Sequence, residues 1–191
     1  MPDTELQTTP SQTAGPFFHF ALPYPGGETL TNAVTLGERI TIEGRVTDGA
    51  GGLVADALIE IWQANGQGRY DHPEDTQERQ LDPNFNGFGR APTDAEGWFR
   101  FHTIKPGPVP GPDGAPQAPH ILISVLGRGI LKRLATRLYF PDEAANADDP
   151  ILALVPPDRR GTLIAERIGD GAAYRFDIRL QGENETVFFD I

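Results

Sequence analysis

At 191 residues and 38% hydrophobic content, the chain can fill one well-cored domain and is too short for two full ones. A formal charge of −11 excludes the basic stripe that nucleic-acid binding needs and any attraction to an anionic membrane surface. No cysteine is present for disulfides or thiolate chemistry, and no apolar run approaches the ~20 residues of a bilayer span. With no signal-peptide pattern at its start, a soluble cytoplasmic protein is expected.

Residues 1–14, MPDTELQTTPSQTA, are polar and unpatterned, and GPFFHFAL (15–22) then brings three aromatics together. A segment of that composition needs a surface, so residues 1–30 are read as an N-terminal arm packing on a partner chain. Residues 31–191 form the domain proper. ERITIEGRVTD (38–48) alternates apolar and polar side chains and predicts a strand. GAGG (49–52) is a turn, and the second half of LVADALIEIWQA (53–64) is another strand. TDAEG (93–97) turns into a third, WFRFHTI (98–104). HILISVLG (120–127), TRLYF (136–140), AYRFDIRL (173–180) and TVFFDI (186–191) complete seven or eight, with QGENE (181–185) as a hairpin connection between the last two. DEAANADDPILALV (142–155) and RRGTLIAERIG (159–169) hold one or two helical turns each. The 22 glycines and 18 prolines, about a fifth of the chain, serve many turns without reaching the ~25–30% of a disordered segment. The fold class expected is an all-β sandwich with long loops.

No Walker motif, zincin helix, nucleophile elbow or EF-hand loop is present. Histidines stand at 19, 72, 102 and 120. In APHILIS (118–124) the strand period of two puts His120, Leu122 and Ser124 on one face. A lone strand histidine is ordinarily a satisfied core residue, and a His-x-His here would instead aim two imidazoles at one point. This sequence has His120 and then Leu122.

The segments ITIEGRVTDGAGGLVADALIEIWQANGQGRYDH (40–72), LDPNFNGFGRAPTDAEGWFRFHTIKPG (81–107) and APHILIS together resemble the intradiol ring-cleavage dioxygenases. TPSQTAGPFFHF (9–20), RLYFPDEAANAD (137–148) and YRFDIRLQGENETVFFDI (174–191) are similar to the alpha, non-iron-binding chain of the family's two-chain branch. The resemblance implies Fe(III) held by two tyrosinates and two histidines in catalytic chains, with phenolate as the hard anionic donor. The matching positions here are Tyr70, Val109, His120 and Leu122, so two ligands have become aliphatic. Gln117 stands where catalytic chains carry an arginine. The resemblance therefore implies vestigial iron-site positions on this chain and Fe(III) bound by a homologous beta chain. It further implies that Thr13, Gly15, Pro16 and Arg128 line the beta chain's pocket for a small aromatic carboxylate, whose ring dioxygen opens between two hydroxyl-bearing carbons. The bland reading of Gly15-Pro16 is a turn, and of Arg128 a solvated cation. An alternative reading of the whole chain is a stand-alone, non-catalytic β-sandwich binding module.

Overall fold

The computed structural model describes residues 8–111 and 114–190. The first seven residues of the expected arm, and Ile191 of the expected last strand, lie outside them. β1 (Arg39–Thr47) alternates as the sequence predicts, with Ile40, Ile42 and Val46 buried and Arg39 exposed. It pairs antiparallel with β4 (Trp98–Ile104), in register Ile42↔Phe101 and Gly44↔Phe99. On the other side β1 pairs in parallel with β10 (Ala173–Arg175) and then β11 (Ile178–Arg179), while β9 (Glu166–Arg167) lies against β10. The second sheet has the order β3 (Phe88–Pro92), β2 (Leu58–Trp62), β7 (His120–Leu126), β8 (Leu134–Tyr139), all antiparallel. β5 (Val109–Pro110) and β6 (Pro116–Gln117) form a small separate ribbon.

The two sheets bury their facing apolar rows against each other. Ile42, Phe99 and Phe101 of the first meet the core that Ile59, Ile61, Ile121, Ile123 and Val125 of the second complete. Each such side chain, fully removed from water, contributes about 1.5–3 kcal/mol. A second cluster, with Tyr139, Leu152, Val155 and Leu163, covers the outside of the second sheet. Its leucines sit on short 3-10 turns at Leu152–Leu154 and Arg160–Leu163, with Val155 directly after the first and a third such turn at Ala144–Asp148. The β-sandwich expectation holds, as do the brief helical turns in these two segments.

The last two expected strands are corrected. Residues 173–180 break into β10 and β11, because the Asp177 side chain takes the Arg45 amide at 2.9 Å and interrupts the backbone ladder. The QGENE segment does not join two strands of one sheet. After Thr186 pairs with Arg179 (2.9 Å), the chain crosses to the other sheet and forms a single bridge, Phe189 to Ala135 of β8. β3 went unforeseen because FGRAP holds Gly, Arg and Pro, and its pairing with β2 outweighs that poor propensity. α1 (Phe18–Ala21), a single turn in the arm, was also unforeseen.

Gly44 lies where β1 passes under the β10–β11 break, and a Cβ there would collide with the Phe176 carbonyl oxygen and the Phe99 ring. Gly44→Ala should therefore lower the urea midpoint by the equivalent of about 1–3 kcal/mol or more. Gly161→Ala, whose Cβ would meet nothing within 4 Å, should leave it unchanged. Equal midpoints for the two variants would refute this account of the packing.

Candidate functional site

Two groups of candidate residues gather at the two ends of β7. At its start, the buried row Ile121, Ile123 and Val125 leaves His120, Leu122 and Ser124 on the outer face. The register sets His120 opposite Tyr139, and Leu122 between Trp62 and Arg137. Tyr70 reaches this face from the long β2–β3 connection. The Asn65 side chain folds that connection back, its Oδ1 accepting the amides of Gln67 and Arg69 at 3.0 Å each. Gly68, at φ +79°, permits the turn to lie directly against Pro108, where a side chain would strike the carbonyl. Tyr70 then stacks on Trp62 with ring centroids 5.7 Å apart. Val109 is buried and pairs with Gln117 across the β5–β6 ribbon. A cleft of about 390 Å³ opens here, lined among others by Trp62, Tyr70, His72, Asp75 and Val109. Of the four positions that the resemblance singles out, Tyr70 and Val109 line this cleft, and Leu122, two residues along β7 from His120, pairs with Trp62 of its wall.

A polar network closes the floor. Arg137 donates to Gln117 Oε1 at 2.6 Å, and Gln117 Nε2 donates to the Pro110 carbonyl at 3.0 Å. Tyr139 donates its hydroxyl to Asp149 Oδ1 (3.0 Å), and the other Asp149 oxygen accepts the Ala118 amide (2.8 Å). The Ala118 carbonyl lies 2.7 Å from His120 Nδ1, which fixes the ring with its Nδ1 as donor. Burial raises the Tyr70 phenol above its ordinary pKa, partly opposed by the Arg137 guanidinium. Burial also pushes the His120 imidazole down to about 4, and the Arg137 charge adds to that effect. At neutral pH the site holds a neutral imidazole, a neutral phenol and a fixed cation. Among the described residues no three His, Cys, Asp or Glu gather as a metal-binding set.

Sequence reasoning did not single out Trp62, Arg137, Tyr139 or Asp149. Arg137 and Tyr139 were accessible in principle, being two apart in one strand and so on one face. Asp149 carried no signal, because it arrives from a loop.

The second group meets at the far end of β7, roughly 20 Å away at strand rise. Thr13 Oγ1 accepts the Gly129 amide at 2.8 Å, so the arm and the loop after β7 form one surface. Arg128 pairs with Asp56 and is 65% exposed. Gly15 and Pro16 are exposed, and Gly15 starts the single turn of α1 through its carbonyl (Phe18 N, 3.2 Å). In that turn Phe17 and Phe20 meet edge to face at 5.5 Å, with 68% and 62% of their surfaces uncovered.

His120 supplies a pH test. Its folded-state pKa lies below the 6.5 of a free imidazole, so between those values the unfolded chain binds the extra proton. The associated stability is fully present above pH 6.5 and is lost as pH falls toward 4, by up to about 3 kcal/mol. His120→Gln removes this titration. Its urea midpoint should fall less than the parent's between pH 7 and 4, and parallel curves would refute the assignment.

Known proteins place this arrangement in a family. The family model described as Dioxygenase matches residues 14–182. The protocatechuate 3,4-dioxygenase alpha chain of Pseudomonas putida is 48% identical over 206 aligned positions, covering all of both chains. The protocatechuate 3,4-dioxygenase beta chain of Burkholderia cepacia is 44% identical over 165 positions, covering 82% of this chain and 70% of that one. Among solved structures, the dioxygenase domain of a carbohydrate-binding fusion protein from Streptomyces sp. SirexAA-E superimposes with a TM-score of 0.63 at 29% identity. That match covers 91% of this chain and 99% of the other. The family model matched over most of the chain and the full-length similarity lead to one conclusion: the chain belongs to the intradiol ring-cleavage dioxygenase family.

Proposed function

We propose that this chain is the alpha subunit of a protocatechuate 3,4-dioxygenase, binding no iron itself and completing the active site of a homologous beta chain. The observation that carries the reading is the separation along β7. Thr13 and the Arg128 loop sit at one end and the Tyr70–His120 face at the other, so these residues stand away from this chain's own cleft. They can serve a neighbour's. Exposed Phe17 and Phe20 favour an arm that packs on a second chain over a stand-alone module, but residues 22–30 of the expected arm are held on this chain's own sheets through Arg90 and His102.

The intradiol family depends in general on Fe(III), a hard cation that selects anionic oxygen donors. The residues present here do not fit it. Val109 and Leu122 have no lone pair to offer, and burial disfavours the Tyr70 phenolate. The Arg137 guanidinium beside both remaining donors would also oppose a trivalent ion. On this reading the ferric ion belongs to the beta chain, and the assembled cytoplasmic enzyme opens 3,4-dihydroxybenzoate between its hydroxyl-bearing carbons. Both atoms of dioxygen enter the product, 3-carboxy-cis,cis-muconate. This chain contributes walls and charge. Thr13, Gly15 and Pro16 line the neighbour's pocket, where glycine lets backbone approach the ligand, and Arg128 offers a charge-assisted fork to the carboxylate. Its bond to Asp56 is an exposed ion pair, cheap to exchange.

The isolated chain should bind no stoichiometric iron and show no tyrosinate-to-iron colour. Metal analysis giving about one iron per chain, with that colour, would overturn the reading. In the assembled complex, Arg128→Ala removes a contact worth about 1.5–3 kcal/mol when well buried, and less where solvent reaches it. It should raise KM for protocatechuate with little change in kcat, and leave plain catechol, which has no carboxylate, unaffected. Equal losses on both substrates would count against Arg128 as the carboxylate partner.

A further inference from the structure

Residues 126–140 carry Arg128, Lys132, Arg133 and Arg137 and no aspartate or glutamate, in a chain of net charge −11. Arg137 turns into the β7–β8 face, where it bonds Gln117. The other three stay on the loop between β7 and β8, all exposed. This loop is where Gly129 holds Thr13 of the arm. Between the arm and the loop lies a cleft of about 220 Å³, whose walls include Thr13, Gly127, Lys132 and Arg133. Opposing charge is sparse. Asp56 pairs with Arg128, and Asp190 stands 4.0 Å from Lys132 with both side chains largely in water. Arg133 has no ion-pair partner among the described residues.

We infer that Lys132 and Arg133 form, with Arg128, a cationic mouth that draws the anionic substrate toward the neighbouring chain's site. The inference rests on the reading that this end of the molecule faces that site, and it adds two residues and a distinct task. Arg128 makes a short-range contact with the carboxylate. Lys132 and Arg133 act at a distance, through a field that offsets the repulsion an acidic protein presents to an anion. A few like charges around a concave opening raise the local concentration of an oppositely charged ligand, and salt removes the effect as the screening length falls to about 3 Å near 1 M. The mouth therefore sets specificity for carboxylated over uncharged catechols at low ionic strength.

The test is steady-state kinetics on the assembled iron-containing complex with K132E/R133E in this chain, using protocatechuate and catechol at ionic strengths of about 10 mM and about 0.5 M. Charge reversal should lower kcat/KM for protocatechuate roughly tenfold at the lower ionic strength and less than about twofold at the higher. Catechol should be unaffected at both. An unchanged kcat/KM at low salt, or an equal loss on catechol, overturns the inference. R128A measured in parallel separates the two levels. If R128A loses protocatechuate selectively while K132E/R133E does not, steering fails and the site reading stands. If neither variant distinguishes the substrates, both fail together. Should the reversed pair not assemble, judged by gel filtration and iron content, K132Q/R133Q takes its place, with about a threefold loss expected at low salt.

Discussion

Burial of Ile121, Ile123 and Val125 between the two sheets is the constraint from which the rest of the molecule follows. These side chains are wholly removed from water, and a slip of one residue would turn every one of them outward. The register of β7 is therefore fixed by several kcal/mol of apolar burial. His120 and Leu122 face outward as a consequence, with Tyr139, Trp62 and Arg137 set beside them by strand pairing. The site owes its geometry to a core it does not share.

That outer face is buried in its turn, and its polar groups must be satisfied locally. Asp149 is 1% exposed and accepts four bonds, from Ala118, Tyr139, Ile151 and Leu152. An uncompensated carboxylate in that position would cost several kcal/mol. The same network holds His120 through Ala118 and ties the β5–β6 ribbon to β8 through Gln117 and Arg137. The Arg137 guanidinium is the cation of this network, fastened by hydrogen bonds to Gln117 and Tyr139. The aliphatic residues at 109 and 122 are compatible with that arrangement, since Val109 is buried without needing a polar partner.

The sandwich leaves sheet edges, and the termini cover them. Gly27 of the arm accepts the Arg90 amide of β3 at 2.8 Å, and Leu30 donates to His102 of β4 at 2.9 Å, so the incoming chain spans both sheets. At the opposite edge Phe189 donates to Ala135 of β8. Covering edges in this way blocks strand addition by other molecules. It also anchors the arm from Leu22 onward, where the Leu22 carbonyl accepts Arg90. The aromatic turn ahead of that anchor buries Phe18 and exposes Phe17 and Phe20, and the segment upstream of it meets the loop after β7 through Thr13.

The sequence by itself determined the strands whose alternation is local, β1, β4 and β7, and with them the sandwich class. The identities of Val109 and Leu122, aliphatic at positions where the family resemblance implies ligands, were likewise legible without any structure. Tertiary structure decided what depends on neighbours distant in the chain. β3 forms because β2 is beside it, despite a glycine and a proline. Residues 173–180 split because Asp177 reaches across to β1, and residues 186–190 cross to β8 because Thr136 and Ala135 offer them partners. The assembly of Arg137, Gln117, Tyr139 and Asp149 around His120 was likewise illegible, since it joins a strand, a ribbon and a loop. Periodicity reports which face a side chain takes; only packing reports what waits on that face.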